Sequence, residues 1–184
     1  MTGNDEAFDE IELKIMSCLN GLVTEADEKN YKGDSVWTTR IKEILTDLGH
    51  SEGFEVCPDS CSGAWLFDLS WYEENSNERL ISIPLVVESE WNRGLRHIRY
   101  DFEKILSSNA ERRLMICQAK TNMIEPLFQY FEDAISDYNR SKVGDRYLIA
   151  ILDDFNSGEF IYRLLVKQPA KLTNETLSIE PLVN

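Results

Sequence analysis

The stretch PLVVESEWNRGLRHIRYDFEK, residues 84–104, decides the fold. Its first half reads as a strand. Alternation places Leu85 and Val87 on one face, and Val86, Glu88 and Glu90 on the other. Its second half reads as a helix over 95–107, with Leu95, Ile98, Phe102, Ile105 and Leu106 at helical spacing. An apolar strand thus runs up to two glutamates on one face. A helix carrying Arg93, Arg96 and Arg99 at or near its start follows at once.

Working outward, residues 6–22 predict an amphipathic helix through Phe8, Ile11, Ile15, Leu19 and Leu22. The polar run 24–35 predicts a loop. A second helix is expected over 35–48, stopped by Gly49. Residues 54–57 and 65–72 read as strands, and the turn EENSNE separates the second from a strand over 80–91. Beyond the deciding stretch come a buried strand at 112–118 and an aromatic-rich helix at 124–138. A strand pair around the turn NSG closes the series. The order predicts an α/β protein with a central mixed sheet flanked by helices. It reads as one domain over 1–184: an N-terminal helix and loop at 1–34, a core at 35–167 and a tail at 168–184.

The net charge of -14 opposes non-specific attraction to nucleic acid. The charge is uneven. Residues 1–35 hold nine acids against three bases, whereas residues 91–120 hold seven bases against three acids. The four cysteines are scattered, which predicts reduced thiols. Cys57 and Cys61, with His50 nearby, fall short of a four-ligand zinc set. Cys117, inside an apolar strand, reads as core. No run is apolar enough for a membrane, and the first residues lack the pattern of a signal peptide, so a cytoplasmic protein is expected.

On the preceding strand, WLFDLSWY embeds Asp68 among apolar residues. A carboxylate there needs a partner, a metal or water. Two carboxylates on neighbouring strands repel unless positive charge lies between them, and Mg²⁺ suits that role. The plain alternative is a solvated strand end, where Glu88 and Glu90 meet Arg93 or Arg96.

The order helix, hairpin, helix, strand over about 36–118 resembles the restriction-endonuclease-like PD-(D/E)xK nuclease superfamily. That family's pattern is an acid on one strand, then acid-x-lysine on the next. Asp68 matches the first acid and Glu88 the second. Glu90 stands where the lysine is usual, a Glu-x-Glu variant. Lys104 is the candidate for a lysine moved to the following helix, and Glu43 for an extra acid on the first helix. The resemblance implies metal-dependent phosphodiester hydrolysis with Asp68, Glu88, Glu90 and Lys104 as catalytic residues. It implies Asp68, Glu88 and Glu90 about a Mg²⁺ cofactor, and Arg93, Arg96 and Arg99 on nucleic acid.

Register tests this pairing. Asp68 opposes Glu88 only if the hairpin turn centres near residue 78, whereas the polar loop centres near 75 or 76. A plain hairpin leaves Asp68 about five residues, or ~16 Å, from opposition. A bulge marked by Pro84 repairs this. Otherwise Asp59, in the literal Pro-Asp at 58–59, is the first acid. The rival expectation is a non-catalytic acidic regulator of the same fold, bound to a protein partner or a second copy of itself. The overall charge and the missing strand lysine favour it.

Overall fold

The computed structural model describes residues 7–58, 63–153 and 157–169. Two helices, α1 (Glu10–Lys29) and α2 (Asp34–Ser51), come first. Strands β1 (Glu55–Cys57), β2 (Leu69–Glu74) and β3 (Leu80–Glu90) form an antiparallel series. Helix α3 (Leu95–Leu106) crosses to β4 (Arg112–Ala119), parallel to β3. Helix α4 (Thr121–Asp137) crosses to β5 (Arg146–Asp153), again parallel. Strand β6 (Phe160–Val166) returns antiparallel at the edge. The six strands lie in sequence order in one mixed sheet.

Alternation splits the sheet's side chains between two cores. Leu85, Val87, Leu114, Ile116, Leu148 and Ala150 share one core with Ile15, Leu19 and Leu22 of α1 and Ile41 and Leu45 of α2. Met115, Cys117, Tyr147, Ile149 and Ile151 face α3 and α4 on the other side. The result is helices, sheet, helices in three layers. β4 is buried along almost its whole length, as a parallel strand covered on both faces must be. No helix among the described residues is long and apolar enough to cross a membrane.

Several expected boundaries move: α1 begins at Glu10, and α2 runs through Gly49, its expected stop, to Ser51. The predicted loop over 24–35 is helical as far as Lys29, because Glu25 gathers Lys29, Tyr31 and Arg40 and holds the last turn. Asn30 then ends α1 in the left-handed conformation, at φ 52°. The strand expected from Trp65 begins at Leu69, and Trp65 and Leu66 are exposed. Asp68 therefore stands at the mouth of β2, not within it. Asp59 and Cys61 lie outside the described residues, as do 170–184 of the tail.

Candidate functional site

The carboxyl ends of β3, β4 and β5 hold three buried polar side chains, Glu88, Gln118 and Asp153. In open sheets with helical crossovers, ligands bind at the carboxyl ends of the strands. Gln118 donates from Nε2 to the Trp91 carbonyl, and its Oε1 accepts from Arg93 at 3.3 Å. Asp153 accepts from the Thr121 hydroxyl at 2.8 Å.

The β2–β3 hairpin supplies the first carboxylates. Next to the turn Glu74 pairs with Leu80, then Glu73 with Ser82. After a second irregularity, Trp71 pairs with Leu85 and Leu69 with Val87. β3 thus takes up one extra residue between Leu80 and Ser82 and a second between Ser82 and Leu85, beside Pro84. The ladder ends at Leu69 and Val87, and Asp68 lies one residue before it. The irregularities supply two residues of the expected five-residue offset, and the turn, centred at 77 rather than at 75 or 76, supplies the rest.

Asp68 is anchored to β3 itself. Its Oδ2 accepts from the backbone N–H and the hydroxyl of Ser89, each at 3.0 Å. Its Oδ1 lies 3.3 Å from Nζ of Lys42 on α2. Lys42 was not singled out in the sequence; it precedes Glu43, the acid matched by position. Glu43 is turned away and pairs with Arg40.

Glu88 is 1% exposed. Lys104 reaches it from α3, with Nζ 2.7 Å from Oε1 and 3.0 Å from Asp101 Oδ1. Burial pushes the Glu88 carboxyl up to about 8, and the negative charges of Asp68 and Asp101 add to this while Lys104 opposes it. Burial works against the charge on Lys104, but the Glu88 and Asp101 carboxylates outweigh it and raise its pKa. Asp101 sits three residues before Lys104. That spacing resembles an ordinary surface pair, yet both side chains turn inward.

Glu90 is held at the strand's end. Its Oε1 accepts from the Asn92 N–H at 2.6 Å, and its Oε2 lies 4.0 Å from His97 Nδ1. Burial raises its pKa, and Asp101 raises it further through charge and a shared hydrogen bond. Glu88, Asp101 and Lys104 thus meet between β3 and α3, Glu90 lies beside Asp101, and Asp68 with Lys42 forms a second pair against Ser89 and α2.

The three arginines divide. Arg93 turns to Gln118, Arg99 pairs with Glu103 on its own helix at 2.7 Å, and Arg96 lies in an open depression with His97 and Tyr100. Trp91 is buried, with its Nε1 donating to Thr38 at 3.0 Å. Cys117 is fully buried, and burial pushes its thiol up to about 12.

The donor set suits a hard cation. Asp68 and Glu88 offer only oxygen, and the buried Glu88 Oε1 meets the Lys104 ammonium without a well-directed hydrogen bond. Among the described residues no three His, Cys, Asp or Glu side chains form a complete metal-holding group. Mg²⁺ is ordinarily held by one or two carboxylates, with waters and substrate phosphate completing the shell. Asp68 and Glu88 offer oxygen donors of that kind, each now paired with a lysine. Comparison with family models, curated proteins and solved structures returned no match.

Proposed function

We propose that this chain is a metal-dependent nuclease, built on the restriction-endonuclease-like plan, that hydrolyses phosphodiester bonds. One observation carries the reading: Lys104 on α3 meets Glu88 on β3 at 2.7 Å, and Asp68, just before β2, is tied to the adjacent Ser89. An acid near β2, an acid on β3 and a lysine on the following helix support the resemblance. The element order α2, β2–β3 hairpin, α3 and parallel β4 supports the same plan.

Asp68 and Glu88 would hold Mg²⁺, which would polarise the phosphate and acidify a bound water. Ser89 fixes the Asp68 carboxylate through two hydrogen bonds. Lys104 is placed to stabilise the charge that develops on phosphate oxygen. Glu90, whose carboxyl burial raises above the ordinary range, would take a proton from the attacking water.

The test is cleavage of labelled single- and double-stranded DNA in Mg²⁺ or Mn²⁺. Wild type should cut, and Asp68→Ala, Glu88→Ala and Lys104→Ala should each lose at least ~100-fold, the scale of a catalytic acid, base or charge-stabilising group. Equal cutting by wild type and all three variants would sink the proposal.

A specific observation favours a second reading. Lys42 already pairs with Asp68, and Lys104 with Glu88, inside the chain itself. That supports a non-catalytic acidic protein of the same plan, bound to a protein partner or to its own copy. Absence of any divalent binding at the carboxylates would select it.

A further inference from the structure

Tyr100 is 66% exposed on α3. Its ring centroid stands 5.8 Å from Lys104 Nζ, the ammonium that touches Glu88. Arg96, His97, Arg99 and Glu103 line the same open depression. Residues three and four apart share a helix face, so Arg96, Tyr100 and Lys104 form one row leading to the carboxylates. A scattered surface aromatic is ordinary. One seated over the site's own cation, with an arginine a turn away, has a chemistry to serve.

Aromatic faces interleaved with cations hold single-stranded nucleic acid: each base stacks on a ring while cations follow the backbone. In a duplex the base faces are already stacked on each other. Only an unpaired base can use the Tyr100 ring. The surrounding charge points the same way. On a molecule of net charge -14, Arg96 in the depression and Lys104 beside the ring offer positive charge to a phosphate backbone at this place.

Resting on the nuclease reading, we propose that Tyr100 is a base-stacking platform and that the site takes single-stranded nucleic acid. A base on Tyr100 places its neighbouring phosphates between Arg96 and Lys104.

Fluorescence anisotropy in EDTA tests this apart from cleavage. The probes are a 12-nucleotide single strand, its duplex, and an abasic strand of the same length, made as DNA and as RNA. The base-bearing single strand should bind about tenfold tighter than the duplex or the abasic strand, in at least one sugar series. Tyr100→Ala should remove that advantage, roughly tenfold for one lost stacked base. Tyr100→Phe and Tyr100→Trp should keep it, because they keep a ring. Circular dichroism confirms that each variant is folded. Equal binding of the abasic strand, tighter binding of duplex, no binding at all, or an unaffected folded Tyr100→Ala would overturn the inference. Duplex cleavage indifferent to Tyr100 would remove the platform and leave the nuclease standing. Base-dependent binding without cleavage would do the reverse.

Discussion

Glu88 is a buried acid whose proton is held up to about pH 8 by desolvation and by its acidic neighbours. In the unfolded chain a glutamate titrates near 4.5. Between these values the folded state binds the extra proton, so the contribution of Glu88 is fully present below about pH 4.5 and is lost as pH rises to about 8. Glu88→Gln keeps the shape and removes the titration. Without divalent metal, the Tm difference should move in favour of Glu88→Gln as pH rises from 5 to 8. A difference constant with pH would show that Lys104 already holds the ionised carboxylate at no cost.

Lys42 shows why part of the site was illegible at this scale. Its neighbour Glu43 had the right position on the right helix. Which of two adjacent helical residues faces the sheet depends on how α2, through Leu45 and Gly49, seats against Trp71, and that is a tertiary fact. Asp101 was hidden differently, because its spacing to Lys104 has an ordinary local explanation.

Among elements, α1 is tied to the sheet by charge as well as by apolar packing. Asp9 and Glu12 form a capping box, and the buried Glu12 accepts from Arg146 at the start of β5 at 2.6 and 2.8 Å. Arg112 at the start of β4 reaches Asp9 at 2.7 Å. Glu12→Ala breaks the cap and leaves Arg146 without its buried partner. It should cost about 3 kcal/mol in urea unfolding. A loss under ~0.5 kcal/mol would show the network to be a surface ornament.

Helix α2 meets the sheet just as closely. A Cβ on Gly49 would lie 2.6 Å from Trp71 Nε1 and 2.9 Å from a Val56 methyl. Trp71 cannot readily yield, because its Nε1 donates to the Leu45 carbonyl at 3.0 Å and its ring stacks on Phe54. Gly49→Ala should destabilise by about 1–3 kcal/mol, the usual cost of overpacking. Here the sequence was read for a stop signal, and the glycine in fact serves close approach. Elements with one strong period were legible: β3, α3, β4 and α4 fall within a few residues of expectation. The end of α1 was not, because polar residues joined by Glu25 continued the helix without any apolar signal.

For the whole molecule, the sheet order follows from two crossovers and three antiparallel connections, whereas the element order carried only a mixed sheet flanked by helices. The hairpin register was not legible, because it depends on where the turn centres and on two one-residue irregularities in β3. A net charge of -14 sets the mode of binding. On the proposed reading, a phosphate backbone meets one row with two cations, Arg96 and Lys104, about two phosphate contacts. The slope of log K against log salt should therefore be shallow, about -1.4 for a single strand. A slope of ~-6 or steeper would require a broad basic surface that this chain lacks.

The most direct measurement is calorimetric titration of Mg²⁺ and Mn²⁺ into the purified protein, with Glu88→Ala and Asp68→Ala alongside. The account predicts saturable binding to wild type that both variants lose. It also predicts proton release at pH 7, as the metal displaces the proton that burial holds on Glu88. No binding at millimolar metal, or binding unchanged in both variants, would contradict it and leave the lysine-neutralised carboxylates as the groundwork of a binding protein.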